Sequence, residues 1–129
     1  MGLQEEALVR AMGPLGGGIG ATGATCGALT GGVAVLGRAF GKRAPEDAED
    51  PRMWKASHEY ARRFEAEVAA PFGSVNCRDI AGVDWRDREA TRAFYEGEKG
   101  RQCAAHTGKA ARILGEILEK YWDPKAGDR

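Results

Sequence analysis

The chain predicts an all-α fold, a compact bundle of about four to five helices around a Gly/Ala-rich central helix. Two segments repeat apolar residues at three- and four-residue spacing, the mark of helices with one buried face. Prolines, glycines and capping residues punctuate them where helices start and stop. No stretch alternates strictly or carries the Val/Ile-rich runs of strands. With 129 residues, the chain fits one domain, 1–129, that buries roughly two thirds of its unfolded surface and folds without staples.

The amino-terminal MGLQEEALVR lacks the basic-then-apolar order of a signal peptide. Met1-Gly2 would suit myristoylation, but Glu6 stands where Ser or Thr is wanted. From Leu15 to Gly37 there is no charge, yet nine of these residues are glycine, so a buried helix is expected and not a membrane span. The front half, GPLGGGIGATG, reads as a glycine loop. The back half, about Thr25 to Phe40, is the expected central helix, with Gly23, Gly27 and Gly31 giving a smooth face for close approach of another backbone.

A polar break, GKRAPEDAEDP, leads to a helix from about Pro51 to Ala70, with Asp50 as cap and Pro51 in the first turn. Met53, Ser57, Tyr60, Phe64 and Val68 form its apolar stripe, joined by Trp54 and Ala61. Pro71 and Gly73 end it, and Ser74 or Asn76 caps a short helix of about Cys77 to Ala81, closed by Gly82. VDWRDREATRAFYEGEKG is highly charged, helical at best in its middle, and ends at Gly100. The last helix, about Arg101 to Trp122, carries Cys103, Thr107, Ala110, Leu114, Ile117 and Tyr121 on one stripe, so Cys103 points inward.

Composition removes several function classes. Acidic and basic residues balance at 19 each, leaving no electrostatic footprint for nucleic acid or an anionic membrane. Three cysteines are too few, and odd in number, for a secreted disulfide framework, which points to a reducing cytoplasm. The glycine loop is not followed by the lysine of a phosphate loop, nor preceded by a strand. The two histidines belong to no Ser/His/Asp or Cys/His/Asn signature. His58, beside the apolar stripe, reads as a half-buried packing residue, although a haem or small-molecule pocket bounded by Trp54, His58 and Tyr60 is a third option.

The cysteines carry the chemistry. Cys26, Cys77 and Cys103 each sit where a helix start is expected, and the positive end of a helix favours the thiolate. Arg78 and Arg101 add to that tendency. Cys77 follows Cys26 by 51 residues and Cys103 follows Cys77 by 26, so no local CxxC knuckle exists and a shared site requires the fold to bring three helix ends together. His106 lies three residues after Cys103 on the same face. Cys26, Cys77, Cys103 and His106 are thus a candidate zinc set, and the thiolates with an outside ligand a candidate iron–sulfur site. Taken singly, a free cysteine is more often a small buried hydrophobe.

The runs GGGIGATGATCGALTGGVAVLGRAFG, FGSVNCRDI and RQCAAHTGKAARILGEIL resemble the redox-active family named for its pattern C_GCAxxG_C_C. The resemblance covers about Glu5 to Leu118 and implies that Cys26, Gly27, Ala28 and Gly31 form the box, with Cys77 and Cys103 as the later cysteines. It implies redox or metal chemistry without naming a reaction; a similar domain occurs in split-Soret cytochromes, which carry haem and an iron–sulfur cluster. The family's first cysteine belongs to a helix before the glycine loop, and residues 1–12 contain none. A dithiol/disulfide couple or a three-cysteine site fits this chain better than a four-thiolate cluster, and no CxxCH haem attachment is present.

The expectation is a redox-active or metal-binding cysteine protein serving electron transfer, thiol–disulfide exchange or iron–sulfur or zinc binding with an unidentified redox partner. Cys26 is expected to be the most reactive thiol, with Thr25 and Thr22 capping its helix and Gly27 leaving it open. Cys77 is the expected resolving partner or second ligand, and Cys103 the third. The alternative is a non-catalytic helical interaction module, able to form a homodimer, in which the cysteines are structural.

Overall fold

The computed structural model describes residues 5–123, and the Met1-Gly2 start lies outside them. Among the described residues there are six α-helices: α1 (Glu6–Met12), α2 (Gly27–Phe40), α3 (Pro51–Phe64), α4 (Cys77–Ile80), α5 (Arg88–Glu96) and α6 (Glu98–Tyr121). The fold is all-α, with one isolated bridge pairing Thr25 and Asn76. Six helices exceed the four or five expected, because α1 precedes the glycine loop.

Helices α2, α3 and α6 pack on one another in pairs and form the main body. Leu36 and Phe40 of α2, Tyr60 and Phe64 of α3, and Ile113 and Ile117 of α6 are the large residues sealed in its core, each contributing about 1.5–3 kcal/mol by leaving water. The smooth helix face is used at Gly32, where a Cβ would collide with the Tyr60 ring. At Gly31, expected to be a close-approach position, a Cβ would meet nothing within 4 Å beyond its own helix backbone.

The carboxylate of Asp50 caps α3 by accepting from the Arg52 N–H at 2.9 Å and pairs with the Arg52 guanidinium at 2.7 Å. Arg52 also donates to the Tyr121 carbonyl at 3.2 Å, closing the end of α6, and lies over the Phe40 ring. One acid–base pair, with Asp50 buried and Arg52 half-buried, therefore joins three helices. Past Phe64 the chain widens into a π turn, Glu65–Ala69, and tightens into a 3-10 turn, Ala70–Phe72, before Gly73 reverses it at φ 64°. This accounts for the single continuous helix expected up to Ala70. Trp54, expected on the buried stripe, is 61% exposed, and the adjoining face instead buries Ala56.

A smaller apolar cluster of Cys77, Ala81, Val83 and Phe94, with Trp85, Ala90 and Cys103 against it, fills the space between α4, α5 and α6. Helix α5 is capped by Asp87 and turns into α6 at Gly97. A Cβ on Gly100 would meet the Phe94 carbonyl oxygen, so glycine there marks a tight corner inside α6 and not its boundary. Helix α6 therefore starts at Glu98, earlier than expected. Among the described residues, no helix is long and apolar enough to cross a membrane.

Candidate redox site

The glycine loop builds the site's floor. Residues 17–21 all have positive φ, including the non-glycines Ile19 (61°) and Ala21 (59°), so the chain makes a left-handed turn. Its N–H groups point inward: Ile19 donates to Leu15, Ala21 to Gly16, Gly23 to Gly17 and Ala24 to Gly18, at 2.9–3.1 Å. Such a loop holds itself together and leaves those amides engaged, unlike a phosphate cradle.

The loop then pins two cysteines side by side. The Cys26 N–H donates to the Val75 carbonyl at 2.8 Å, and the Cys77 N–H to the Ala24 carbonyl at 2.7 Å, on either side of the Thr25–Asn76 bridge. Cys26 is the N-cap residue of α2 and Cys77 the first residue of α4. Gly18 lies directly on Cys77, since a Cβ there would come within 2.7 Å of the Cys77 Cβ. Cys103 arrives from the other side on α6. It is the sixth residue of that helix and not at its start, because the helix begins at Glu98.

Cys26, Cys77 and Cys103 line one cavity of about 580 Å³, together with Gly16, Gly17, Gly27, Ala28, Trp85, Phe94, Tyr95 and Arg101. All three are free thiols; Cys77 is 8% exposed, and Cys26 and Cys103 are half-buried. The cavity lies at the seam of the two apolar clusters, with Cys26 against the larger and Cys77 and Cys103 in the smaller.

The electrostatics differ from the expectation that helix starts and arginines would favour thiolates throughout. Burial pushes the Cys77 thiol up; the Trp85 indole pulls it back, and a charge on Cys26 pushes it further. Burial also pushes Cys103 up, followed by charge on Cys26 and on Cys77. The causes are desolvation and like-charge repulsion, so the three sulfurs disfavour simultaneous ionisation. Arg101 lies at the cavity but is paired with Glu98 at 2.9 Å and largely exposed, where water screens it.

Several candidate residues serve other purposes. Thr22 donates to the Gly18 and Ile19 carbonyls at 2.7 and 2.9 Å and so locks the loop, while Thr25 occupies the bridge; neither caps α2. Asn76 sits at the cap position of α4 without a side-chain cap bond, and Ser74 accepts from the Asn76 N–H. Of the box residues, Gly27 meets the Leu15 carbonyl, where a Cβ would lie at 2.9 Å. Ala28 offers its carbonyl to the Tyr60 hydroxyl at 2.8 Å, and burial pushes that hydroxyl up to about 12. His58 is exposed, not half-buried, and Tyr60 is buried, so Trp54, His58 and Tyr60 bound no common pocket. His106 places its ring edge-on to Phe72 at 5.2 Å and is not among the residues lining the cysteine cavity.

Zinc and iron–sulfur clusters need several thiolate or imidazole ligands directed at one point. Among the described residues, no group of three or more His, Cys, Asp or Glu side chains is arranged to hold a metal ion. As placed, the side chains do not form a metal-ligand set.

Sequence reasoning missed the aromatic wall. Trp85, Phe94 and Tyr95 stack edge-on or tilted, with centroids 5.0–6.0 Å apart. Their segment reads as charged because its charges face outward, while the aromatic residues turn to the thiols. The signal available was the strong apolar stripe of α5.

Searches among curated proteins and solved structures returned no match. The family model described as "Putative redox-active protein (C_GCAxxG_C_C)" matches residues 1–117, a span that contains all three cysteines and both halves of the cavity. The chain belongs to the C_GCAxxG_C_C redox-active family.

Proposed function

We propose that the protein works by thiol–disulfide exchange, with Cys26 and Cys77 as the reacting couple and Cys103 as a third thiol at the same cavity. The observation that carries this reading is that cysteines distant in sequence line one cavity, two of them anchored by adjacent backbone hydrogen bonds. Cys26 is the entry point because it is half-buried at an N-cap beside Gly27, whereas Cys77 is buried beneath Gly18. Exchange needs one accessible sulfur and one protected partner. Oxidation of the pair removes two protons and two electrons and forms one S–S bond, the electrons passing to an external disulfide that is cleaved to two thiols.

The test equilibrates the reduced chain with graded glutathione buffers, alkylates the remaining thiols and weighs the product. The expected result is loss of two thiols in one cooperative step while a third stays free, in monomeric chain. Three free thiols across the whole range would overturn the proposal, as would metal bound as purified that protects all three.

A further inference from the structure

We infer that the indole N–H of Trp85 is a hydrogen-bond donor held for the Cys77 sulfur, making Cys77 the leaving sulfur when an external thiol opens the Cys26–Cys77 disulfide. The inference rests on the proposed couple and adds the direction in which that disulfide is read.

The Trp85 Nε1 atom is buried without a hydrogen-bond partner, the one side-chain nitrogen or oxygen in this condition among the described residues. A buried donor left unmatched is destabilising, and native folds keep few of them. Phe94 meets the indole edge-on at 5.0 Å and Tyr95 tilts against it at 6.0 Å, so the ring is clamped. It packs on the small cluster that contains Cys77 and lines the same cavity.

The chemistry of sulfur explains the unmatched donor. A thiol is a weak acceptor, and a thiolate is a strong one because the bond becomes charge-assisted. An N–H near Cys77 therefore gains a partner only when that sulfur carries charge. Donated to the Cys77 thiolate, this N–H favours ionisation against the burial that opposes it.

An external thiolate RS⁻ attacks the Cys26 Sγ, forming R–S–S–Cys26; the Cys26–Cys77 bond breaks, and its electron pair leaves on the Cys77 Sγ, facing the indole N–H. A second RS⁻ then attacks the mixed disulfide, releasing RSSR and the Cys26 thiolate. Two thiols are oxidised to one disulfide and the protein disulfide becomes a dithiol. Leaving-group stability sets the rate of such steps, and the burial of Cys77 steers attack to Cys26.

The experiment uses the full-length oxidised chain, glutathione as RSH, and Trp85→Phe, which keeps an aromatic ring and deletes the N–H. Acid-quenched mixtures mapped by mass should show glutathione on Cys26, and Trp85→Phe should reduce about tenfold more slowly, the loss expected for one charge-assisted bond. The indole N–H resonance of Trp85, assigned with Trp54→Phe and Trp122→Phe, should move in the reduced chain as pH rises past 9.0 and Cys77 ionises, and stay fixed over that range in the oxidised chain and in Cys77→Ala. That resonance decides the matter in the unsubstituted chain even if Trp85→Phe fails to fold. Glutathione found on Cys77, equal reduction rates, or an indole resonance in the reduced chain indifferent to Cys77 ionisation overturns the inference while leaving the couple intact. Absence of any Cys26–Cys77 disulfide overturns both.

Discussion

At the residue scale, accessibility and ionisation rank the thiols. Cys77 is buried and its pKa, like that of Cys103, lies above the ordinary value of 9.0. Alkylation of the reduced chain at neutral pH should therefore label Cys26 first and Cys77 last, and the Cys77 rate should go on rising as pH passes 9.0, where that of an ordinary thiol levels off. Peptide mapping over a time course checks the order; Cys77 labelled first would contradict it. Glycines sort in the same way by what surrounds them. Gly32→Ala gains about 1 kcal/mol of helix propensity, but its Cβ would enter the Tyr60 ring and disturb the Tyr60–Ala28 hydrogen bond. Overpacking costs about 1–3 kcal/mol and the bond about 1 more, so a net loss in urea midpoint is expected. Gly31→Ala meets open space and should instead stabilise the fold by up to about 1 kcal/mol; a loss of stability there would mean the face is covered.

At the element scale, the Asp50–Arg52 pair holds the ends of α3 and α6 against the Phe40 ring of α2. Asp50→Ala removes a helix cap, about 1 kcal/mol, and leaves the Arg52 guanidinium without its main partner, so the expected destabilisation exceeds that of an exposed ion pair such as Arg86–Asp84. Thermal unfolding of Asp50→Ala beside Asp84→Ala tests the difference. Element by element, the sequence was most legible where period and caps agreed: Pro51 with Asp50, the stripe through Tyr60 and Phe64, and Gly73 as a stop. It was least legible around residues 97–103, because Gly100 resembles a helix terminator when tertiary packing against the Phe94 carbonyl is not visible. That one misreading moved Cys103 from the interior of α6 to its start. The left-handed turn at 17–21 was equally opaque, since Ile19 and Ala21 disfavour positive φ on their own and adopt it through the hydrogen bonds of the closed loop.

At the scale of the whole molecule, the cavity exists because a long-range bridge joins residues before α2 to residues before α4, with α6 closing the third side. Sequence alone showed three separated cysteines and a family-like box; their convergence is a property of the packed chain, and the aromatic wall was masked by surrounding charge. The fold's pH range follows from its ionisable groups. Hydrogen bonds from Arg38 to Glu5, Tyr121 to Glu59, Arg63 to Glu67 and Arg86 to Asp84 hold these carboxyls below their ordinary values of 4.5 and 3.8. Folded-state values below the unfolded ones mean that this stability is present above those ordinary values and is lost as pH falls through the depressed ones. The raised thiols act in the opposite sense: their protonated forms favour the fold below 9.0, and that contribution fades as pH climbs through their raised values. Urea midpoints should therefore be flat from above 4.5 to below 9.0 and decline on both sides.

The most direct measurement of the central claim is disulfide mapping of the full chain after mild oxidation at low protein concentration. An intramolecular Cys26–Cys77 bond with Cys103 free is the predicted product. Cysteines that stay reduced, or that link only between molecules, would contradict a shared redox cavity.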